Sequence, residues 1–173
     1  MATFTERAVD AVHDYLTEDA TGLNSETLPA LRTALGITTA ELPDVASFEK
    51  WYHRADQARS FPYLSIVVNG TTGESSANSR MYSAEIDLGL VVLDANVSGD
   101  EAATMVATWR LGDAIKTIFN RRTGAGSEGW TLGGASGIIR ATVDSQSVGA
   151  DPTLSVPNTA ILTRLTVVTS EEF

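Results

Sequence analysis

The chain has 173 residues, enough to bury a real core in one domain, and 43% of them are hydrophobic, which argues against disorder. Acidic residues outnumber basic ones by 22 to 12, a formal net charge of −10, so the protein should repel nucleic acid rather than hold it. There is no cysteine, which excludes disulfides and thiolate chemistry. No apolar run approaches the ~20 residues of a membrane helix, and Met1 to Asp10 lacks the basic and apolar regions of a secretory signal, which fits cytosolic synthesis.

Along the chain, Thr3 or Thr5 is placed to cap a first helix running to about Glu18, with Phe4, Ala8, Val12 and Tyr15 or Leu16 at helical spacing. A turn around Gly22 follows. Leu28, Leu31 and Leu35 mark a second, short helix, with Pro29 in its first turn and Gly36 at its C-terminal cap. Phe48, Trp51 and Ala55 predict a third helical piece, which Pro62 ends. Tyr63 to Val68 reads as a strand and Asn69 to Arg80 as a polar loop.

The next segment carries the clearest pattern. Tyr82, Ala84, Ile86, Leu88, Leu90 and Val92 alternate with Ser83, Glu85, Asp87 and Gly89. A period of two predicts a strand over about Met81 to Leu93, with one buried and one wet face. Ser98 and Glu101 form an S-x-x-E capping box for a long helix over about Gly99 to Arg121. Its expected inner stripe is Ala102, Met105, Trp109, Gly112, Ile115 and Phe119, with Arg110, Asp113 and Thr117 outward. After a glycine-rich loop, Gly124 to Gly137, a strand alternates through Ile139, Ala141 and Val143. A loop over Gly149 to Pro157 and a strand over about Ala160 to Val168 complete the order. These elements predict one domain of α+β class: a helical N-terminal part over residues 1–60 and a core over residues 61–170. In that core a long helix packs on a mostly antiparallel four-stranded sheet.

Chemistry-bearing residues are few. Gly124, Gly126 and Gly129 match G-x-G-x-x-G, but the match follows a helix and precedes a strand, the reverse of a dinucleotide fingerprint. Asp10, His13 and Asp14 share a helical face, which reads as a solvated face with local ion pairs rather than a metal site. With only two histidines, nucleophilic triads have almost no material. Glu85 and Asp87 share one face of the long strand. That face is either the wet side of a half-buried sheet, a surface meeting a channel or another subunit, or a carboxylate pair for acid–base work. The glycosylation patterns at Asn69 and Asn96 carry no weight without a secretory signal. Trp51, Tyr52 and Trp130 fit either satellite core or interface.

The run Phe61–Pro62–Tyr63–Leu64–Ser65–Ile66–Val67–Val68, the polar loop, the alternating strand Tyr82 to Val92, the helix opening Ser98–Gly99–Asp100–Glu101–Ala102 and two closing strands resemble, in order and residue character, the tail terminator proteins of long-tailed bacteriophages. The stretch Gly22 to Ser60 is longer than that family's usual connection. The resemblance implies a virion protein without catalytic residues, metal or cofactor. It implies a homo-oligomeric ring, typically a hexamer, on the head-proximal end of the tail tube. Such a ring ends tube polymerisation, meets the neck or head-completion protein, and lets DNA pass through its lumen. The alternatives are a head-completion or adaptor protein of the same connector, or a small α+β enzyme or ligand-binding domain using Glu85 and Asp87. On the ring reading, Asn69, Gly73, Glu74, Asn78 and Arg80 of the polar loop, with Glu85 and Asp87, are the expected subunit contacts.

Overall fold

The computed structural model of the chain describes residues 3–51, 60–75, 81–95, 100–120, 138–152, 154 and 156–172. Helix α1, Phe4–Thr17, opens on a complete capping box: the Glu6 amide donates to Thr3 Oγ1 at 3.2 Å, and the Thr3 amide donates to Glu6 Oε2 at 2.6 Å. Hydrogen bonds from the Thr3 backbone amide and side chain hold the Glu6 carboxyl below its ordinary pKa. The buried stripe of α1 is Ala8, Val9, Ala11, Val12, Tyr15 and Leu16. A π-helical turn, Leu23–Thr27, leads into α2, Leu28–Leu35, with Pro29 in its first turn and Gly36 capping it at φ 65°. That left-handed conformation suits glycine.

Among the described residues there are five strands, β1 (Ser47–Glu49), β2 (Tyr63–Ser75), β3 (Met81–Ala95), β4 (Ile138–Gly149) and β5 (Asn158–Glu172), in the order β1-β2-β3-β5-β4. Among the described residues only the β1–β2 pairing is parallel. The class is therefore α+β, but the sheet is five-stranded and mixed rather than four-stranded. The difference is Ser47–Glu49. Its Phe48–Trp51 spacing imitated a helix turn, yet the segment pairs with Tyr63, Leu64 and Ser65. A non-local partner overrode a weak local period.

A second correction concerns Asn69 to Arg80. It is not a loop throughout, because β2 continues to Ser75 and pairs with β3 as far as Ser75↔Tyr82. Asn69 marks a bulge, since Val68 faces Leu88 and Gly70 faces Asp87. Asn78 and Arg80 lie outside the described residues, as do Ser98, Tyr52, Trp130, the Gly124–Gly126–Gly129 motif and the proposed helical residue Ala55.

Long helix α3, Glu101–Asn120, begins about two residues later than expected, and its cap is Asp100 rather than a Ser98–Glu101 box: the Ala103 amide donates to Asp100 Oδ1 at 3.0 Å, and Glu101 is the first helical residue. α1 and α3 both cover one face of the sheet. Ile86, Leu88, Leu90 and Val92 of β3 are fully buried beneath them, with Leu64 and Ile66 of β2 and Ile161, Leu165 and Val167 of β5. Each such aliphatic side chain contributes about 1.5–3 kcal/mol relative to exposure. Tyr15 ties the two helices together. Its hydroxyl donates to the Ile118 carbonyl at 2.8 Å, one of the carbonyls a helix leaves unpaired in its last turn, and its ring lies 5.5 Å from that of Phe119.

The inner stripe of α3 differs from expectation in its first half. Gly112, Ile115 and Phe119 are buried, but Ala102 is exposed, as are Met105 and Trp109; the buried set is Ala107, Thr108, Leu111, Ala114 and Ile118 with those three. Gly112 fixes the rotation. A Cβ there would stand 3.0 and 3.1 Å from the side chain of Ile161, so the helix backbone rests directly on β5. Gln146 Nε2 bridges the seam, donating to the Gly112 carbonyl at 2.7 Å and to Thr163 Oγ1 at 2.9 Å.

Candidate functional site

Two surfaces stand out, one on the sheet and one beside α3. The face of the sheet away from the helices carries only a small apolar cluster, Tyr63 and Leu93 with Phe61, Leu154 and Ala160. The rest of that face is polar or half-buried: Glu85 and Arg164 are exposed, and Asp87, Val91, Leu162 and Thr166 are intermediate. Of the expected contact residues, the fold brings Asn69 and Asp87 together, with Asn69 Nδ2 donating to Asp87 Oδ1 at 3.4 Å. Gly89 makes room for this meeting. A Cβ at Gly89 would lie 2.8 Å from Leu162 Cδ1 and 3.2 Å from Asn69 Nδ2. Glu85 stands opposite Thr72 in the ladder, Gly73 opposite Ala84, and Glu74 opposite Ser83.

The same sheet has an open border. β1 pairs with β2 only over Tyr63 to Ser65, and among the described residues no strand pairs with the outer edge of β2 from Ile66 to Ser75. Asn69, Gly70, Thr71 and Thr72 on that edge are exposed. Such an edge presents unpaired backbone donors and acceptors to any incoming strand.

The second surface is a groove of about 560 Å³ between the first half of α3, the end of β3 and the Ala40–Pro43 turn. Asn24 and Arg32 hold the chain at that turn and just after it. The Asn24 side chain donates to the Val45 carbonyl at 2.9 Å and accepts from the Val45 amide at 3.0 Å. Arg32 Nε donates to the Leu42 carbonyl at 2.7 Å while its guanidinium pairs with Asp44. Small residues line the groove, and Glu41, Asp94 and Asp100 supply carboxylates. Its cation is Arg110, whose Nη1 donates to the Glu41 carbonyl at 3.1 Å. Beside it, Met105, Val106 and Trp109 are 46%, 42% and 45% exposed. Sequence reading put Arg110 outward and ended the long strand at about Leu93, giving Asp94 no role. Ala102, Met105, Val106 and Trp109 recur at i, i+3, i+4 and i+7; three of them were expected on the inner stripe, yet all four are exposed.

Asp94 is the unusual titrating group. Burial pushes its carboxyl above the ordinary aspartate value, opposed only by a hydrogen bond from the Ala95 backbone. With the folded pKa raised, protonation favours the folded state: that stabilisation is complete below the unfolded pKa and is lost as pH rises through the folded value. At neutral pH the charged group is therefore a burden. Asp94→Asn should raise the melting temperature at pH 7, and the gain over wild type should shrink as pH falls below the carboxylate range. A variant less stable than wild type at pH 7 would overturn this assignment.

The Asp10, His13 and Asp14 face meets a cation from outside its helix. Lys50 Nζ lies 2.7 Å from Asp10 Oδ1 and 3.9 Å from Asp14 Oδ1, and the Asp10 hydrogen bond raises the Lys50 pKa. Among the described residues no group of three or more histidine or acidic side chains is arranged to hold a metal ion, and no helix is long and apolar enough to cross a membrane. Compared with known proteins, the sequence matches no family model and no curated protein.

Proposed function

We propose that this chain is a structural ring-forming protein of the tail-terminator kind, seated at the head-proximal end of a phage tail tube. There it ends tube polymerisation and presents the surface that joins the neck, while DNA passes through the lumen. The observation that carries the reading is that, among the described residues, nothing pairs with the border of β2 from Ile66 to Ser75 and nothing covers the polar sheet face beside it. An open edge invites pairing with another chain, and cyclic symmetry uses such a contact without growing fibres. The element order that resembles the terminator family supports the same reading, as does a net charge of −10, suited to a lumen that DNA crosses without sticking.

Light scattering of the purified chain, alone and with tail tubes, followed by negative-stain imaging, tests this. The expected result is a closed ring, formed in solution or on tube ends. A monomer that also fails to cap tube ends would overturn the proposal, and rings that bind only the head connector would assign the chain to the neighbouring adaptor. In a gel shift against duplex DNA at low salt, where electrostatic binding is strongest, no complex should form. A tight complex that fades as salt rises would contradict the slippery-lumen reading.

A further inference from the structure

We infer that the groove between α3 and the Ala40–Pro43 turn docks a cationic, apolar-anchored segment of a different protein. The apolar half of the argument is the ridge of Met105, Val106 and Trp109, each more than two-fifths exposed on a helix whose other face is packed. Methionine and tryptophan are among the side chains enriched in interfaces, and tryptophan dominates their binding energy. The groove beside the ridge is lined by Ala95, Ala103 and Ala107, which stop at Cβ and let another chain approach closely.

The charged half selects the partner. Glu41, Asp94 and Asp100 supply three carboxylates to the groove, against one cation among the described residues that line it, Arg110. Among the described residues no opposite charge shifts the Asp94 carboxyl, which burial already disfavours as an anion. An arriving lysine or arginine would relieve that burden, so binding energy replaces a defect in the free chain. A second copy of this chain is a poor occupant, because it brings 22 acidic residues and only 12 basic ones. The occupant that fits is a segment with arginine or lysine beside one or two large apolar side chains.

The test uses the full-length chain and two short synthetic amphipathic peptides. One places leucine and tryptophan on one face and arginine on the other; its counterpart carries glutamate for arginine. Calorimetry should show saturable one-to-one binding of the arginine peptide and none of the glutamate peptide. The triple variant Glu41→Gln, Asp94→Asn, Asp100→Asn should weaken binding about tenfold or more, as should Trp109→Ser alone. Asparagine at Asp100 keeps the cap on α3, so the triple variant preserves the fold. Removing equal charge elsewhere, at the exposed carboxylates Glu18, Asp19 and Asp144 by Glu18→Gln, Asp19→Asn and Asp144→Asn, should leave the affinity unchanged. Equal binding of both peptides, unchanged affinity in both groove variants, or equal loss in the control variant would overturn the inference. A drop in the solution mass of the unliganded chain with Trp109→Ser would also overturn it, by assigning the ridge to self-association.

Discussion

Gly22→Ala should destabilise the protein by about 3 kcal/mol or more, a drop of about 10 °C in melting temperature. The reason is not dihedral, because Gly22 has φ −72°, which any residue adopts. It is space. A Cβ at Gly22 would lie 2.8 Å from the Glu18 amide nitrogen and 2.8 Å from the Leu16 carbonyl oxygen, and closer still to the Glu18 carbonyl oxygen. All three are backbone atoms, so no side-chain rotation relieves the clash. The backbone is also pinned there: the Gly22 amide donates to the Glu18 carbonyl at 2.9 Å, and Ser25 Oγ donates to the same oxygen at 2.8 Å. Leu16 and Leu23, on either side of this turn, are buried at 1% and 0% exposure. Opening the turn therefore drags core residues with it. Gly36 is the internal control. Its φ of 65° favours glycine, but a Cβ there meets nothing within 4 Å, so Gly36→Ala should cost only about 1–2 kcal/mol. Urea unfolding of both variants checks the pair. A Gly22→Ala loss no larger than that of Gly36→Ala would show that the turn yields cheaply.

What could be read from the sequence was what local rules determine. The Thr3 cap, Pro29 and Gly36 around α2, and the alternation Ile86–Leu88–Leu90–Val92 each need only neighbours in sequence, and the structure has all of them. What could not be read depends on distant partners. Asn69 to Ser75 holds no large apolar residue, and Thr71 and Thr72 are exposed; it is a strand because its backbone ladders onto Tyr82 to Asp87. Ser47–Glu49 is a strand only because Tyr63 to Ser65 runs beside it. On α3 the sequence holds two apolar stripes, and the choice between them is made by Gly112 resting on Ile161. The sheet-face residues Glu85 and Asp87 were legible because alternation assigns faces. The groove was not, because Glu41, Asp94 and Arg110 meet only after the Ala40–Pro43 turn is laid across α3.

Lysine at both Thr71 and Thr72 should abolish ring assembly while leaving the fold intact. Both side chains are exposed, so the folding cost should stay within about 0.5 kcal/mol at each position. Thr72 stands opposite Glu85 in the β2–β3 ladder, so a lysine there gains an opposite charge across the strands. The effect on assembly works the other way. Lysine on an edge strand blocks strand addition, because a neighbouring chain must bury or displace the ammonium group to pair with the backbone. Two such groups on each subunit act at every interface of a closed ring, so the penalty multiplies around it. Shortening Thr71 to Ser79 to a tight turn would not separate assembly from folding, because it would strip Thr71 to Ser75 from their ladder with β3. Light scattering and thermal melting on the double variant separate the outcomes. A native melting temperature with monomers and uncapped tube ends is the expected result. Native rings would mean that subunits meet through another surface and that the open border of β2 faces solvent in the assembly.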